Sequence, residues 1–163
     1  MRISLRKATK ADAPLILAFI RALAEYEHAP EAVLATAADL ERDGFGPRPF
    51  FECLIADYDG QPAGYALYFF KYSTWEGRPS LHLEDLFVHP GLRGKGLGKA
   101  LLERVAAEAV AQSCPRLEWQ VLDWNQPAID FYKSVGGEFL DEWRNVRLSG
   151  EALTQLATGK EKK

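Results

Sequence analysis

The sequence predicts an α/β fold, a mixed β-sheet with helices on both faces. Three observations predict it. Apolar residues recur at helical spacing in two segments, with Ile16, Ile20 and Leu23 in one and Leu97, Leu101, Val105 and Ala109 in the other. Runs rich in Leu, Tyr, Phe and Val fall at residues 50–58, 63–71 and 81–88, bounded by turn signals. The elements follow in the order strand, two helices, three strands, helix, strand, helix, strands, which mixes hairpin neighbours with a helical crossover.

Each element has a local reason. Residues 2–7 can form a short first strand. Thr9 to Asp12 reads as a capping box, with Pro14 tolerated in the first turn of a helix reaching Tyr26 or Glu27. Residues 36–42 suggest a second helix, closed by Gly44. Asp59-Gly60 joins two strands as a hairpin turn. Residues 75–79 are loop, and His89-Pro90-Gly91 stops the strand at 81–88. A long helix spans about 94–113, with Pro115 beyond it. Residues 117–122 form a strand. Residues 125–134 form a short helix with Pro127 in its first turn, ended by Gly136-Gly137. Residues 138–148 supply a final hairpin or bent strand, and 150–156 a last helix.

The chain has 163 residues, 47% apolar and 26% charged, which suits one domain with a real core. A single domain over 1–163 is expected, with a tail flexible from about residue 157. A net charge of -3 argues against a nucleic-acid partner. Cys53 and Cys114 match no metal spacing, and His28, His82 and His89 form no metal constellation. The N-terminus lacks the apolar core of a signal peptide, and no apolar run reaches membrane-spanning length. A cytoplasmic location, with no membrane partner and no metal, is expected.

The segment VHPGLRGKGLGKALLERV, from Val88 to Val105, carries the chemistry. Gly94, Gly96 and Gly98 sit between a strand and a helix, with Arg93, Lys95 and Lys99 interleaved. A P-loop needs four residues before its Gly-Lys and a hydroxyl after it; here there are three, and Ala100 follows. The dinucleotide fingerprint fails as well. What remains is a turn whose free N–H groups and helix dipole favour a pyrophosphate, or else a plain tight turn. A kinase or NTPase is disfavoured.

Arg93-x-x-Gly96-x-Gly98 after LEDLFV resembles the acetyl-CoA signature of the GNAT acetyltransferases. AEYEHAPE, DGFGPRPFFECLIAD, LEDLFVHPGLRGKGLGKALL and DWNQPAIDFYKSVGGEF are similar to segments of the diamine acetyltransferase branch, which includes spermidine/spermine and thialysine acetyltransferases. The resemblance implies a centrally splayed sheet. It also implies an acetyl-CoA-dependent N-acetyltransferase acting by direct attack in a ternary complex on a small cationic amine, and a homodimer. Diamines or polyamines are slightly favoured over thialysine-like amino acids, whose carboxylate needs a cationic partner.

The resemblance assigns roles residue by residue. Tyr132 is the candidate acid for the leaving thiolate; its alternative is core packing. Glu84 orients the amine and relays its proton through water. The backbone at Leu86, Phe87 and Val88, where the strand bulges or splays, contacts the donor. Arg93, Gly94, Lys95, Gly96, Leu97, Gly98 and Lys99 surround its pyrophosphate, though Lys95 and Lys99 can equally be solvated. Asn125, Pro127 and Ala128 join the cofactor set, and Asn125 can also be a helix cap. Tyr26, Glu27, Asp85 and Glu142 complete the acceptor side. Their alternatives are a solvated helix end for Tyr26 and Glu27 and a structural salt bridge for Asp85. Strand alternation puts His82, Glu84 and Leu86 on one face, and Leu83, Asp85 and Phe87 on the other. Competing readings are a GNAT enzyme acting on another amine, such as an amino acid, an aminoglycoside or a protein amino group, and a non-catalytic acetyl-CoA-binding regulator.

Overall fold

The computed structural model describes residues 2–159. They form two compact units divided between Gln120 and Val121. Residues 160–163, part of the tail expected to be flexible, lie outside the described residues.

The first unit is built on a five-stranded sheet in the order β1-β2-β3-β4-β5. Its strands are β1 (Ile3–Lys7), β2 (Glu52–Tyr58), β3 (Gln61–Ser73), β4 (Arg78–Val88) and β5 (Leu117–Glu118). The first four pair antiparallel, and β5 runs parallel to β4. Asp59 and Gly60, at φ 49° and 80°, make the left-handed turn that the β2–β3 hairpin needs. β3 is the central strand, and Ala63 to Tyr68 are buried without a break, as a strand covered on both faces must be.

One face is covered by α1 (Ala13–Tyr26) and α2 (Ala37–Phe45). Ile16, Leu17, Phe19 and Leu40 pack on Cys53, Ile55, Tyr65, Leu67 and Phe87. Alternation sends Leu54, Ala66 and Tyr68 to the opposite face, where α3 (Leu97–Ala111) lies against β2, β3 and β4. Its buried stripe is Leu97, Leu101, Leu102, Val105 and Ala109. Asp12 ties the entry to α1: its carboxylate accepts from the Thr9 N–H at 2.7 Å and from Arg6 at 2.7 and 2.9 Å. The Arg6 guanidinium holds that carboxyl down at about 2.

β4 departs from simple alternation. Leu67 pairs with Asp85 and Tyr68 with Leu83, so Glu84 is an extra residue in β4. The bulge corrects the expected faces. Leu83 stands opposite Tyr68, on the α3 face, while Asp85 and Phe87 stand opposite Leu67 and Tyr65, on the α1 face. Leu86 follows Ala66 to the α3 face, so it does not share a face with His82. β4 also parts from its other neighbour. It meets β5 only at Leu81–Leu117 and His82–Glu118. Residues 83–88 have no strand on that side among the described residues. This is the splay, and it begins earlier than Leu86.

The second unit holds α4 (Gln126–Ser134) and α5 (Gly150–Ala157). Two expectations fail from residue 117 onward. The strand expected over 117–122 stops at Glu118. Residues 138–148 form no strand among the described residues. A strand exists only through pairing, and Trp143 N–H instead closes a local turn on the Leu140 carbonyl at 3.2 Å. In the first unit, α2 runs past Gly44 to Phe45 before Gly46 ends it.

The close β3–β4 approach gives a stability prediction. A Cβ on Gly64 would meet the Phe87 carbonyl oxygen and come within 3.1 Å of Val88 Cα. Both are backbone atoms, which cannot swing away. Gly64→Ala should cost about 1–3 kcal/mol, read as a lower urea midpoint at unchanged slope.

Candidate active site

The glycine turn takes the chain from β4 to α3. Gly94 and Gly96 have φ of 76° and 89°, the left-handed region in which a side chain is strained. The first hydrogen bond of α3 runs from Ala100 N–H to Gly96 C=O at 2.9 Å. The N–H groups of Leu97, Gly98 and Lys99 therefore have no acceptor within the helix. The space before them is open. A Cβ at Gly94 would meet nothing within 4 Å, and one at Gly98 only Val88 Cγ2 at 3.9 Å. No acidic residue occupies the first turn. Free N–H groups, open space and the positive end of a helix dipole together fit a phosphate group.

The cations around this turn are committed differently. Lys95 Nζ lies 5.4 Å from the Tyr58 ring centroid. Lys99 pairs with Glu103 at 3.7 Å. Arg93 donates through Nε to the Val88 carbonyl at 3.0 Å, and its guanidinium lies 4.3 Å from the centroid of Tyr26. Leu97 is a core residue by its side chain; it offers the turn only its backbone.

An acidic region gathers on the α1 face of β4. α1 ends with His28 at φ 62°, while Ala29 N–H reaches Ala24 C=O at 2.9 Å and His28 N–H reaches Glu25 C=O at 3.1 Å. These two bonds form a Schellman cap with a non-glycine residue at its left-handed position, and they fix the direction in which Tyr26 and Glu27 leave the helix. The bulge turns Asp85 to the same face. Its Oδ2 accepts from the Tyr65 hydroxyl at 2.7 Å. Burial pushes the Asp85 carboxyl up to about 6, and Glu84 and Glu27 push the same way against the Tyr65 bond. Burial also raises Glu27. Glu84 is more exposed and lies 3.5 Å from His82 Nε2. Neither Glu27 nor Asp85 forms an ion pair among the described residues. The salt-bridge reading of Asp85 is thereby corrected: its partner is a phenol.

In the second unit, Asn125 precedes α4 and its carbonyl accepts from Ile129 N–H at 3.0 Å; Pro127 and Ala128 form the first turn. Tyr132 is the buried residue of α4. Gly137 N–H bonds to the Tyr132 carbonyl at 2.9 Å and Gly136 N–H to Lys133 C=O at 3.1 Å, a Schellman cap with Gly136 at φ 89°. Glu142 is exposed in a turn.

Two residues make contacts on this face that the sequence does not show. Tyr65 is fully buried, and its ring stacks on Phe19 at 5.3 Å. His89 packs against Phe19 at 5.3 Å and Phe87 at 5.5 Å. Their only sequence signal was an aromatic in an apolar strand and a histidine at a strand end. Register alone brings Tyr65 to Asp85.

A strand freed from its neighbour runs into a glycine-lined helix start that fits a phosphate-bearing ligand, and the same strand carries carboxylates that no lysine or arginine pairs among the described residues. The chain belongs to the acetyltransferase (GNAT) family, whose sequence model matches residues 16–136 and so runs through both units. It is similar to a thialysine N-epsilon-acetyltransferase of Bos taurus, at 42% identity over 95% of this chain and 97% of that protein. It is 37% identical to the spermidine/spermine N(1)-acetyltransferase-like protein 1 of Homo sapiens, over 94% of this chain and 23% of that protein. Among solved structures, an integron cassette protein from the mobile metagenome of V. cholerae matches with a TM-score of 0.81 at 26% identity, over 96% of this chain and 98% of that one. The chain is an acetyltransferase enzyme.

The Asp85 carboxyl should depress stability at neutral pH. Its folded value near 6 lies above the usual carboxylate value of 3.8, so the folded protein holds the proton more tightly. Stability then rises as pH falls from about 6 to about 4. Asp85→Asn, which can still accept from Tyr65, should be more stable than the parent at pH 8 by about 1–2 kcal/mol. The gap should close below pH 4. Urea melts across that range measure it.

Proposed function

We propose that this enzyme transfers the acetyl group of acetyl-CoA to a primary amine of a small cationic acceptor, by direct attack in a ternary complex. One observation carries the acceptor class: Glu27 and Asp85 are carboxylates with no ion pair of their own among the described residues, beside the more exposed Glu84. A free acidic surface favours an ammonium over an anion. Thialysine ranks first as acceptor, on the 42% relative, and polyamines second, on the 37% one. Members acting on aminoglycosides or protein amino groups match only as folds, at 14–20% identity. A non-catalytic regulator is not favoured by relatives named as enzymes.

Acetyl-CoA supplies an activated acyl group on a thiol leaving group. The N–H groups after Gly96 hold its pyrophosphate, and the free edge of β4 over Leu86, Phe87 and Val88 offers the N–H groups of Leu86 and Val88 to its arm and thioester oxygen, since His89 N–H, and with it Phe87, faces β3. Asn125, Pro127 and Ala128 extend that contact. Tyr26, Glu27, Glu84 and Asp85, together with Glu142, receive the cation. A lysine-like ammonium, with a pKa of about 10.4, must lose its proton before it attacks. Glu84, through a water, takes that proton outward, and the Tyr132 hydroxyl gives one to the departing sulfur. The chain acts as a single acetyltransferase domain over 1–163, in the cytoplasm, and without a metal.

It also forms a homodimer. Trp143, Val146 and Leu156 are 67%, 94% and 66% exposed, apolar side chains that a second copy would cover. Sedimentation at micromolar concentration should give a dimer mass.

Gly98→Asp places bulk and negative charge beside the α3 N–H groups in space that is open in the fold. Acetyl-CoA affinity by calorimetry should fall at least tenfold or so, with the fold intact. Tyr132→Phe should lower turnover by roughly 10²-fold and leave acetyl-CoA affinity nearly unchanged. Glu84→Gln should weaken amine use and turnover together. The deciding assay follows thiol release with thialysine, spermidine, short diamines and an amine with an uncharged tail. Equal use of the uncharged-tail amine would remove the case for an acidic acceptor site.

A further inference from the structure

We propose that Tyr65 is a positioning residue of the acceptor site, whose hydroxyl holds the Asp85 carboxylate in the place and ionised form that receive the acceptor's ammonium. The inference rests on the reading that Asp85 belongs to the acceptor site.

The geometry is specific. Tyr65 has one polar side-chain atom and no solvent exposure, so its hydroxyl needs a partner inside the protein. It donates to Asp85 Oδ2 at 2.7 Å. The ring has no freedom to leave, because Phe19 stacks on it at 5.3 Å with the planes 6° apart. The bond is also non-local. Tyr65 pairs across the strands with Phe87, two residues beyond Asp85, so the contact is a diagonal one on a single face. Asp85 reaches that face only because Glu84 is bulged out.

The choice of a phenol has a chemical consequence. An arginine or lysine here would neutralise Asp85 and leave no charge for a substrate. A neutral donor satisfies one carboxylate oxygen and leaves the charge in place. Asp85 Oδ1 makes no hydrogen bond among the described residues, and Asp85 is only partly buried, so an approaching ammonium finds an open oxygen.

His82, which shares the face of Asp85, lies 3.5 Å from Glu84, and the Arg93 guanidinium lies 5.8 Å from the centroid of Phe87. Among the described residues, the groups that act on Asp85 itself are neutral or acidic. They are Glu27 at the end of α1, Cys53 on β2, Tyr65 on β3 and Glu84 beside it on β4. Burial raises the Cys53 thiol to about 12, so it stays neutral. The Tyr65 phenol is raised well above its usual value and stays a donor. Burial and the two glutamates favour the neutral carboxyl, and the Tyr65 bond is the one influence favouring the carboxylate. Without it, Asp85 would hold its proton to higher pH and lose its hold on a cation there.

The test is the pH profile of the amine KM, from 5.5 to 9, at saturating acetyl-CoA. In the parent enzyme, amine KM should rise as pH falls through about 6. In Tyr65→Phe that acid limb should move up by about 0.5–1 pH unit, so amine KM at pH 6 rises about 2–5-fold over the parent. At pH 8.5, kcat and the acetyl-CoA KM should stay within about twofold. A packing role would lower the melting temperature and leave the acid limb where it is; that result overturns the inference. Phe19→Leu, which unclamps the ring, should shift the limb the same way by less, and it serves if Tyr65→Phe does not fold. An unmoved limb there is equally contrary. Asp85→Asn should remove the limb, and adding Tyr65→Phe to that background should change amine KM by less than about twofold. A larger change means that Tyr65 does not act through Asp85. If Asp85→Asn itself leaves amine KM and its limb untouched, the acceptor-site reading of Asp85 fails first and the inference goes with it.

Discussion

One extra residue in β4 organises the first unit. A regular strand from His82 to Val88 would alternate strictly, and every side chain after Leu83 would fall on the other face. The bulge at Glu84 shifts that phase. Leu81 and Leu83 pack toward α3, and after the shift Leu86 and Val88 do so again. Asp85 and Phe87 turn toward α1. The apolar demand of the α3 face is thus met on both sides of the bulge. The cost falls on the α1 face, where a carboxylate enters an otherwise apolar layer. That cost is tolerated because Tyr65 lies within hydrogen-bond reach.

The same strand changes its neighbours along its length. β4 is held on the β3 side almost to its end, at Gly64–Val88, and on the β5 side only at its start. A strand gripped on one edge and free on the other presents backbone polar groups without fraying. Directly beyond it, Arg93 bonds back to the Val88 carbonyl and pins the strand end to the glycine turn. A free strand edge and a free helix start therefore lie within ten residues of each other in one chain. That proximity follows from sequence: a strand, a three-residue turn at Pro90–Leu92, and glycines where the backbone must turn left-handed.

Much of this was legible beforehand, and the legible parts share a cause. α1, α3, the β2–β3 hairpin and the glycine turn were all read from local rules: periodicity, caps, and residues that accept positive φ. What escaped depends on partners. The strand expected over 138–148 has the right composition, but composition does not supply a neighbour. The faces of β4 were misassigned because a bulge is a property of two strands in register, and 81–88 alone reads as regular. Tyr65 was invisible for the same reason, since twenty residues separate it from Asp85. Their place among glycines marks Arg93 and Lys95 as cations of the turn, but it does not show that tyrosine rings from α1 and β2 lie beside their side chains.

The acidic face shows how stability and chemistry are set against each other. A fold selected only for stability would not keep Glu27 and Asp85 on one face, raise both by burial, and leave them without a cation. It would supply a lysine, as β3 does for Glu118 through Lys71 at 2.5 Å on the sheet surface. In the acceptor site proposed above, that missing counter-charge is the recognition element, because an ammonium from solution would complete the pair that the chain leaves open. The Tyr65 hydroxyl keeps that arrangement bearable by giving the buried oxygen a hydrogen bond without cancelling its charge. Binding of a cation should then relieve the repulsion among these carboxylates, so that part of what the fold gives up in stability returns as affinity for the acceptor.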